Sequence, residues 1–186
     1  MKTTTQTPAT MKFSDIPQYP RCYYNVHVEL SYLPEQIAHY QQAYGFTMDP
    51  EYQRDHVWTD EQRERYVEHI LMGGETAREI LINCYNFDNR RHTGRTGPAE
   101  VLDGKQRLTA LLMFLDGKLR AFGKYAHEFE GRCRANIIWR VVDLDELEVM
   151  RMYVMLNAGG TVHSSDEIQR VRDLIAAKEA ARVGKP

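Results

Sequence analysis

Apolar and polar positions along the chain change period several times, and each change marks an element. Tyr24, Val26, Val28 and Leu30 alternate with Asn25, His27 and Glu29 in YYNVHVEL, the two-residue period of a strand with one buried face. Pro34 then stands where a first helical turn tolerates a missing amide. Ile37, Tyr40, Gln41 and Tyr44 follow at helical spacing until Gly45, which predicts a short helix. Thr59 and Gln62 have the form of a capping box, and Tyr66, Val67, Ile70 and Leu71 trace an apolar stripe that ends at Gly73-Gly74.

Glu79 to Phe87 (EILINCYNF) is rich in strand formers, and DNRRHTGRTGP after it has the punctuation of an exposed loop, giving a hairpin-like connection to AEVLD. Gly104 ends that short strand, and Leu108, Leu111, Leu112 and Leu115 recur at helical spacing until Asp116-Gly117. The order here is strand, tight glycine turn, helix. Asn136 to Leu144 (NIIWRVVDL) predicts another strand. Asp145, Glu146 and Glu148 favour the positive end of a helix running through Met155 to a break at Gly159-Gly160. Ser164 and Glu167 form a second capping box, opening a last helix with Ile168, Val171, Leu174 and Ile175 on one face.

No internal repeat and no second hydrophobic core is legible, so these elements predict one mixed α+β domain over residues 21–178. A flexible, Thr-rich arm over 1–20, pinned by Phe13 and Ile16, precedes it, and a tail over 179–186 follows. With 186 residues, 42% hydrophobic and 27% charged, the chain can bury a core, which excludes disorder for most of it. The net charge of −2 excludes indiscriminate attraction to polyanions, so any basic surface is local. No apolar run approaches the roughly 20 residues of a membrane-spanning helix, and the start, MKTTTQTPAT, is polar. A soluble, unexported protein is expected, with no membrane partner. Cys22, Cys84 and Cys133 form no CxxC pair and are expected as reduced thiols in a cytosol-like compartment.

Charge and turn chemistry converge at Val101-Leu102-Asp103-Gly104-Lys105-Gln106-Arg107-Leu108. Amides in a first helical turn and the helix dipole favour an anion, Gly104 lets backbone approach closely, and Lys105 and Arg107 add a point charge and a bidentate fork. Asp103 would repel a phosphate held there unless a divalent cation lies between them or the carboxylate takes a proton from an attacking hydroxyl or water. The alternative is an Asp N-cap on an ordinary amphipathic helix.

DGKQRLTALLMFLDGKL resembles the DGQQR segment of the ParB/sulfiredoxin-like domain of GmrSD-type modification-dependent restriction systems and the related SspE proteins. PEYQRDHVW, ILMGG and YVMLNAGGTVHSSDEI follow the family's order as well, so the resemblance spans about Asp49 to Arg172. It implies a compact α+β nucleotide-handling domain, with a small mixed sheet flanked by helices, whose relatives hydrolyse nucleoside triphosphates or use them to control nucleic-acid transactions. Asp103, Gly104, Gln106 and Arg107 match the central motif, while Lys105 replaces its usual first glutamine. Lys105 suits phosphate binding but not a water-positioning or base-reading role belonging to that glutamine.

The resemblance also carries Gln53 and Arg54 into nucleotide binding, with Trp58 as a pocket wall or, on packing grounds, a core residue. Asn157, Gly159 and Gly160 match the family's LN-GG turn, where the Asn amide would contact a ligand; a plain C-cap accounts for them equally. Such proteins continue into a helical region and a histidine-type nuclease, and that module is not expected in this chain. The seven histidines form no cluster at metal-ligand spacing. Arg90, Arg91, His92 and Arg95 make one basic segment, and Lys118, Arg120, Lys124, Arg132 and Arg134 another with Tyr125 and Phe129 nearby. Either can follow a nucleic-acid backbone or be solvated charge, with Asp143, Asp145, Glu146 and Glu148 offsetting it if they share its face. Met150, Met152 and Tyr153 would mark a dimer face if exposed and core if not.

Together these readings predict a nucleotide-dependent phosphoryl-transfer enzyme, most simply a nucleoside triphosphatase, in bacterial or phage DNA modification, restriction or anti-restriction. Asp103 would hold Mg²⁺ or orient the nucleophile. Gly104 and the helix amides would cradle phosphate, Lys105, Arg107 and Arg54 would stabilise transferred charge, and Arg90, Arg91 and Arg95 would meet nucleic acid. The expected ligands and partners are a nucleoside triphosphate, Mg²⁺, DNA and a restriction or modification protein. A kinase acting on a modified base or other hydroxyl, a non-catalytic DNA- or protein-binding module, and a ParB-type nuclease remain the alternatives.

Overall fold

The computed structural model describes residues 24–53, 58–85, 87, 97–158 and 165–183. Strand β1 (Tyr24–Glu29) leads through a 3-10 turn into α1 (Leu33–Tyr44), which Gly45 closes in the left-handed conformation. Helix α2 (Asp60–Leu71) begins at the Thr59/Gln62 capping box and buries Tyr66, Val67 and Ile70, as its stripe predicts. Then come β2 (Glu79–Asn83), β3 (Glu100–Asp103), α3 (Lys105–Leu115), β4 (Asn136–Val142), α4 (Glu146–Ala158) and α5 (Ser165–Val183). The expected strand from 79 to 87 is shorter, ending at Asn83. Ser164 of the expected second capping box lies outside the described residues, as does the Gly159-Gly160 break.

The class is α+β, with one four-stranded mixed sheet in the order β1-β4-β2-β3. β1 runs antiparallel to β4, β4 parallel to β2, and β2 antiparallel to β3, so β2 and β3 pair as the hairpin-like reading expects. Where the sequence shows a single core, the described residues form two. Successive residues of a strand face opposite sides, and both sides are covered. Ile80, Ile82, Val101, Ile137, Trp139 and Val141 pack with α1, α2 and α3. Leu102, Val142 and partly buried Leu81 pack with Tyr52, Leu144, α4 and α5.

Helix α4 starts on a cap the acidic run supplies: Asp145 Oδ1 accepts from the amides of Leu147 and Glu148, both at 2.9 Å, and Glu148 reaches back to the Asp145 amide at 2.8 Å. Glu146 pairs with Lys178, Arg151 with Glu179 and Asp145 with Arg182. These acids thus tie α4 to α5, which continues through most of the stretch expected as a tail. Met150, Met152 and Tyr153 are buried, taking the core alternative. Among the described residues no helix is long and apolar enough to cross a membrane.

Candidate functional site

The site is built where edge strand β3 ends and α3 begins. Gly104 makes the turn with φ +99° and is the N-cap position of α3, with no side-chain cap; Asp103 is therefore not the N-cap that the alternative reading made it. The fold itself requires the glycine. A Cβ here would lie 2.7 Å from Ile80 Cδ1 and 3.3 Å from the Glu79 carbonyl oxygen, so α3 approaches β2 as closely as backbone allows.

Asp103, about half exposed, receives Arg107 Nη2 at 2.5 Å across one helical turn. Arg107 Nη1 donates to Ala77 O at 3.4 Å, and the same oxygen accepts Tyr66 OH at 3.0 Å. Burial pushes the Tyr66 hydroxyl up to about 12, with Arg107 pulling it down and Asp103 pushing it up, so the pair and the phenol share one electrostatic neighbourhood. The Lys105 side chain is only 7% exposed, and its Nζ meets Asp49 Oδ1 at 2.7 Å. Gln106 Oε1 accepts the Trp58 amide at 3.4 Å, while Trp58 packs edge-on against Tyr66, with centroids 5.4 Å apart, and against the core.

Gln53 joins this group through its side-chain amide, which donates to the carbonyls of Val101 and, at 3.1 Å, Leu102. Its neighbour Tyr52 stacks edge-on against Tyr153 of α4 at 5.2 Å. Asn157, one turn further along α4 and still inside the helix, donates its side-chain amide back to Tyr153 O at 2.7 Å. Asp103, Lys105, Gln106, Arg107 and Gln53 are thus gathered at one sheet end, and Asn157 is bonded within its own helix. Arg54, Arg90, Arg91, His92, Arg95, Gly159 and Gly160 lie outside the described residues.

Asp49 was not singled out by sequence; a lone Asp before Pro50 in an extended stretch has no period to mark it. Nor was Glu100, a buried carboxylate that accepts Tyr85 OH at 3.2 Å. Burial raises its pKa, while the polar groups of Tyr85, Tyr52 and Asn83 pull the other way. Asn83, fully buried beside it, exchanges hydrogen bonds with the Leu144 backbone at 2.9 and 3.4 Å. An acid inside the β-run AEVLD was the available signal.

Among the described residues no three His, Cys, Asp or Glu side chains gather as a metal site. Asp103, about half exposed at the turn, fits the mode in which one carboxylate would hold Mg²⁺ together with substrate phosphates. The second basic segment is largely paired internally: Lys118 with Asp116 at 3.0 Å, Arg132 with Glu29 at 2.9 Å, and Arg120 over the Tyr125 ring at 4.6 Å. Asp145, Glu146 and Glu148 are engaged in the cap of α4 and in its ion pairs with α5. Cys84 and Cys133 are free thiols, and burial pushes Cys84 up to about 12.

Compared with known proteins, residues 35–149 match the GmrSD restriction endonuclease, N-terminal domain. None of the curated proteins matches the chain. Among solved structures, the C-terminally truncated chromosome-partitioning protein ParB from Caulobacter crescentus, complexed with CTP-γ-S, is similar at 14% identity and a TM-score of 0.40. The similarity covers 75% of this chain and 56% of that one, so the chain spans little more than half of the ParB structure.

Proposed function

This chain belongs to the family of GmrSD restriction endonuclease N-terminal domains, and on that premise we propose that it is a nucleotide-dependent phosphoryl-transfer enzyme, most simply a nucleoside triphosphatase, serving DNA restriction, modification or anti-restriction. One observation supports the reading: Lys105 and Arg107, in the first turn of α3, pair with Asp49 and Asp103 beside a glycine turn that brings helix amides to the end of the sheet. Lys105 and Arg107 draw phosphate oxygens to the turn, and Arg107, already held by Asp103 and the Ala77 carbonyl, presents its fork in a fixed plane. Gln53 holds the edge-strand carbonyls that lead into the turn. Asp103 orients the nucleophile or, with phosphate, would hold Mg²⁺. The ion would supply neutralisation of developing charge. Arg54 adds a further phosphate contact, and DNA is met by Arg90, Arg91 and Arg95.

The test is Mg²⁺-dependent phosphate release from each of the four ribonucleoside triphosphates, with modified, unmodified or no DNA, comparing wild type with Asp103→Ala. Turnover is expected to fall at least about 100-fold in the variant while its circular dichroism stays native. Wild-type turnover in Asp103→Ala removes this mechanism. Label retained on DNA instead of released would identify a kinase. A second reading, a nucleotide-gated binding module without turnover, is favoured by the internal engagement of both Asp103 and Lys105. Nucleotide binding with no turnover under any condition selects it.

A further inference from the structure

The ion pair between Lys105 and Asp49 is unequal. The lysine side chain is 7% exposed and the aspartate side chain 74%, across a 2.7 Å contact. An ammonium withdrawn from water needs an anion beside it, and a carboxylate oxygen and a phosphate oxygen meet that need with the same charge-assisted hydrogen bond. The Lys105 side chain is packed at the start of α3, with only 7% of it exposed. Asp49 can turn into solvent and be hydrated there.

The loop that carries Asp49 is fixed at both ends to edge strand β3. The Thr47 amide donates to Ala99 O at 2.8 Å, and Thr47 O accepts the Val101 amide at 3.3 Å. At the other end the Gln53 side chain binds the carbonyls of Val101 and Leu102. Between these anchors the Asp49 amide donates to Thr47 Oγ1 at 3.1 Å. Exchanging Asp49 for another anion thus takes rotation of one short side chain, with the loop left in place.

We propose that Asp49 is a tethered competitor for the phosphate site: its carboxylate takes the position of a phosphate oxygen on Lys105, and an incoming polyphosphate must displace it. This rests on the nucleotide reading above and adds regulation to that site. A carboxylate held by a short tether is present at high effective concentration, so a singly charged anion competes poorly. A tri- or pyrophosphate, which engages Arg107 and the helix amides as well, competes effectively. The pair therefore sets a threshold that selects polyphosphates, and it links their arrival to release of a side chain on the loop bordering β3.

Calorimetry with pyrophosphate and with each ribonucleoside triphosphate, in Mg²⁺, separates the outcomes across wild type, Asp49→Asn, Lys105→Met and the double variant. Asp49→Asn is expected to bind about fivefold more tightly than wild type, the range of an ion pair with one exposed partner. That gain is expected to vanish on the Lys105→Met background. Equal or weaker binding by Asp49→Asn, with wild type still binding, overturns the competitor role and leaves the nucleotide reading intact. Loss of the native near-UV spectrum in Asp49→Asn overturns it too, since the carboxylate is then a fixed structural counterion. If neither wild type nor Asp49→Asn binds any of these probes, the nucleotide reading fails and the inference falls with it.

Discussion

At the scale of single residues, Gly104 shows how one position serves two demands. Its φ of +99° lies where an L side chain is strained by about 1–2 kcal/mol, and its missing Cβ leaves room for the fully buried Ile80. Gly104→Ala is therefore expected to destabilise the chain by about 2–4 kcal/mol in urea unfolding, combining backbone strain with overpacking. A cost under about 0.5 kcal/mol would mean that α3 does not approach β2 this closely. The glycine turn was legible in the sequence, but its packing reason was not, because the partner Ile80 is 24 positions away and only the fold brings it near. Lys105 is similar. Its charge suggested phosphate, and nothing in its neighbours announced that it is buried against Asp49.

At the scale of elements, the sequence pattern located the four strands and the five α-helices of the described chain, because each has its own stripe, cap or stop, but not the 3-10 helices Leu30–Tyr32 and Ala126–Glu128, which are too short to show a period. The pairing order was not legible, since a two-residue period says that a strand has a buried face and not which strand lies beside it. The second core was missed for a related reason. EILIN and NIIWRVV are nearly continuous apolar runs, the mark of strands covered on both faces, and β2 and β4 are the central pair. β3 carries the buried Glu100, which makes the stability of the edge strand depend on pH. Burial raises its folded pKa above the usual 4.5, so its stabilising contribution is full below that value and is lost as pH rises through the folded value. Glu100→Gln keeps an acceptor for Tyr85 without the charge. Its melting temperature is expected to exceed that of wild type at pH 8 and to approach it at pH 4; a lower value at pH 8 would show that the ionised carboxylate stabilises the strand.

At the scale of the whole molecule, a mixed sheet is held between α1, α2 and α3 on one face and α4 and α5 on the other. The end of β3 is where these layers come together. The loop with Asp49 and Gln53 borders it, α3 begins from it, and Tyr52 links it to α4 through Tyr153. A polyphosphate bound at the turn would lie against the edge strand and the start of α3, beside a loop whose Tyr52 packs on Tyr153 of α4. A titration of ¹⁵N-labelled chain with Mg²⁺ and each ribonucleoside triphosphate shows whether the turn from β3 to α3 holds that polyphosphate. Saturable shifts of the Gly104, Lys105, Gln106 and Arg107 amides are expected with at least one nucleotide. Those four amides staying unmoved at saturating concentrations of all four nucleotides, whatever shifts elsewhere, would contradict polyphosphate binding at this turn.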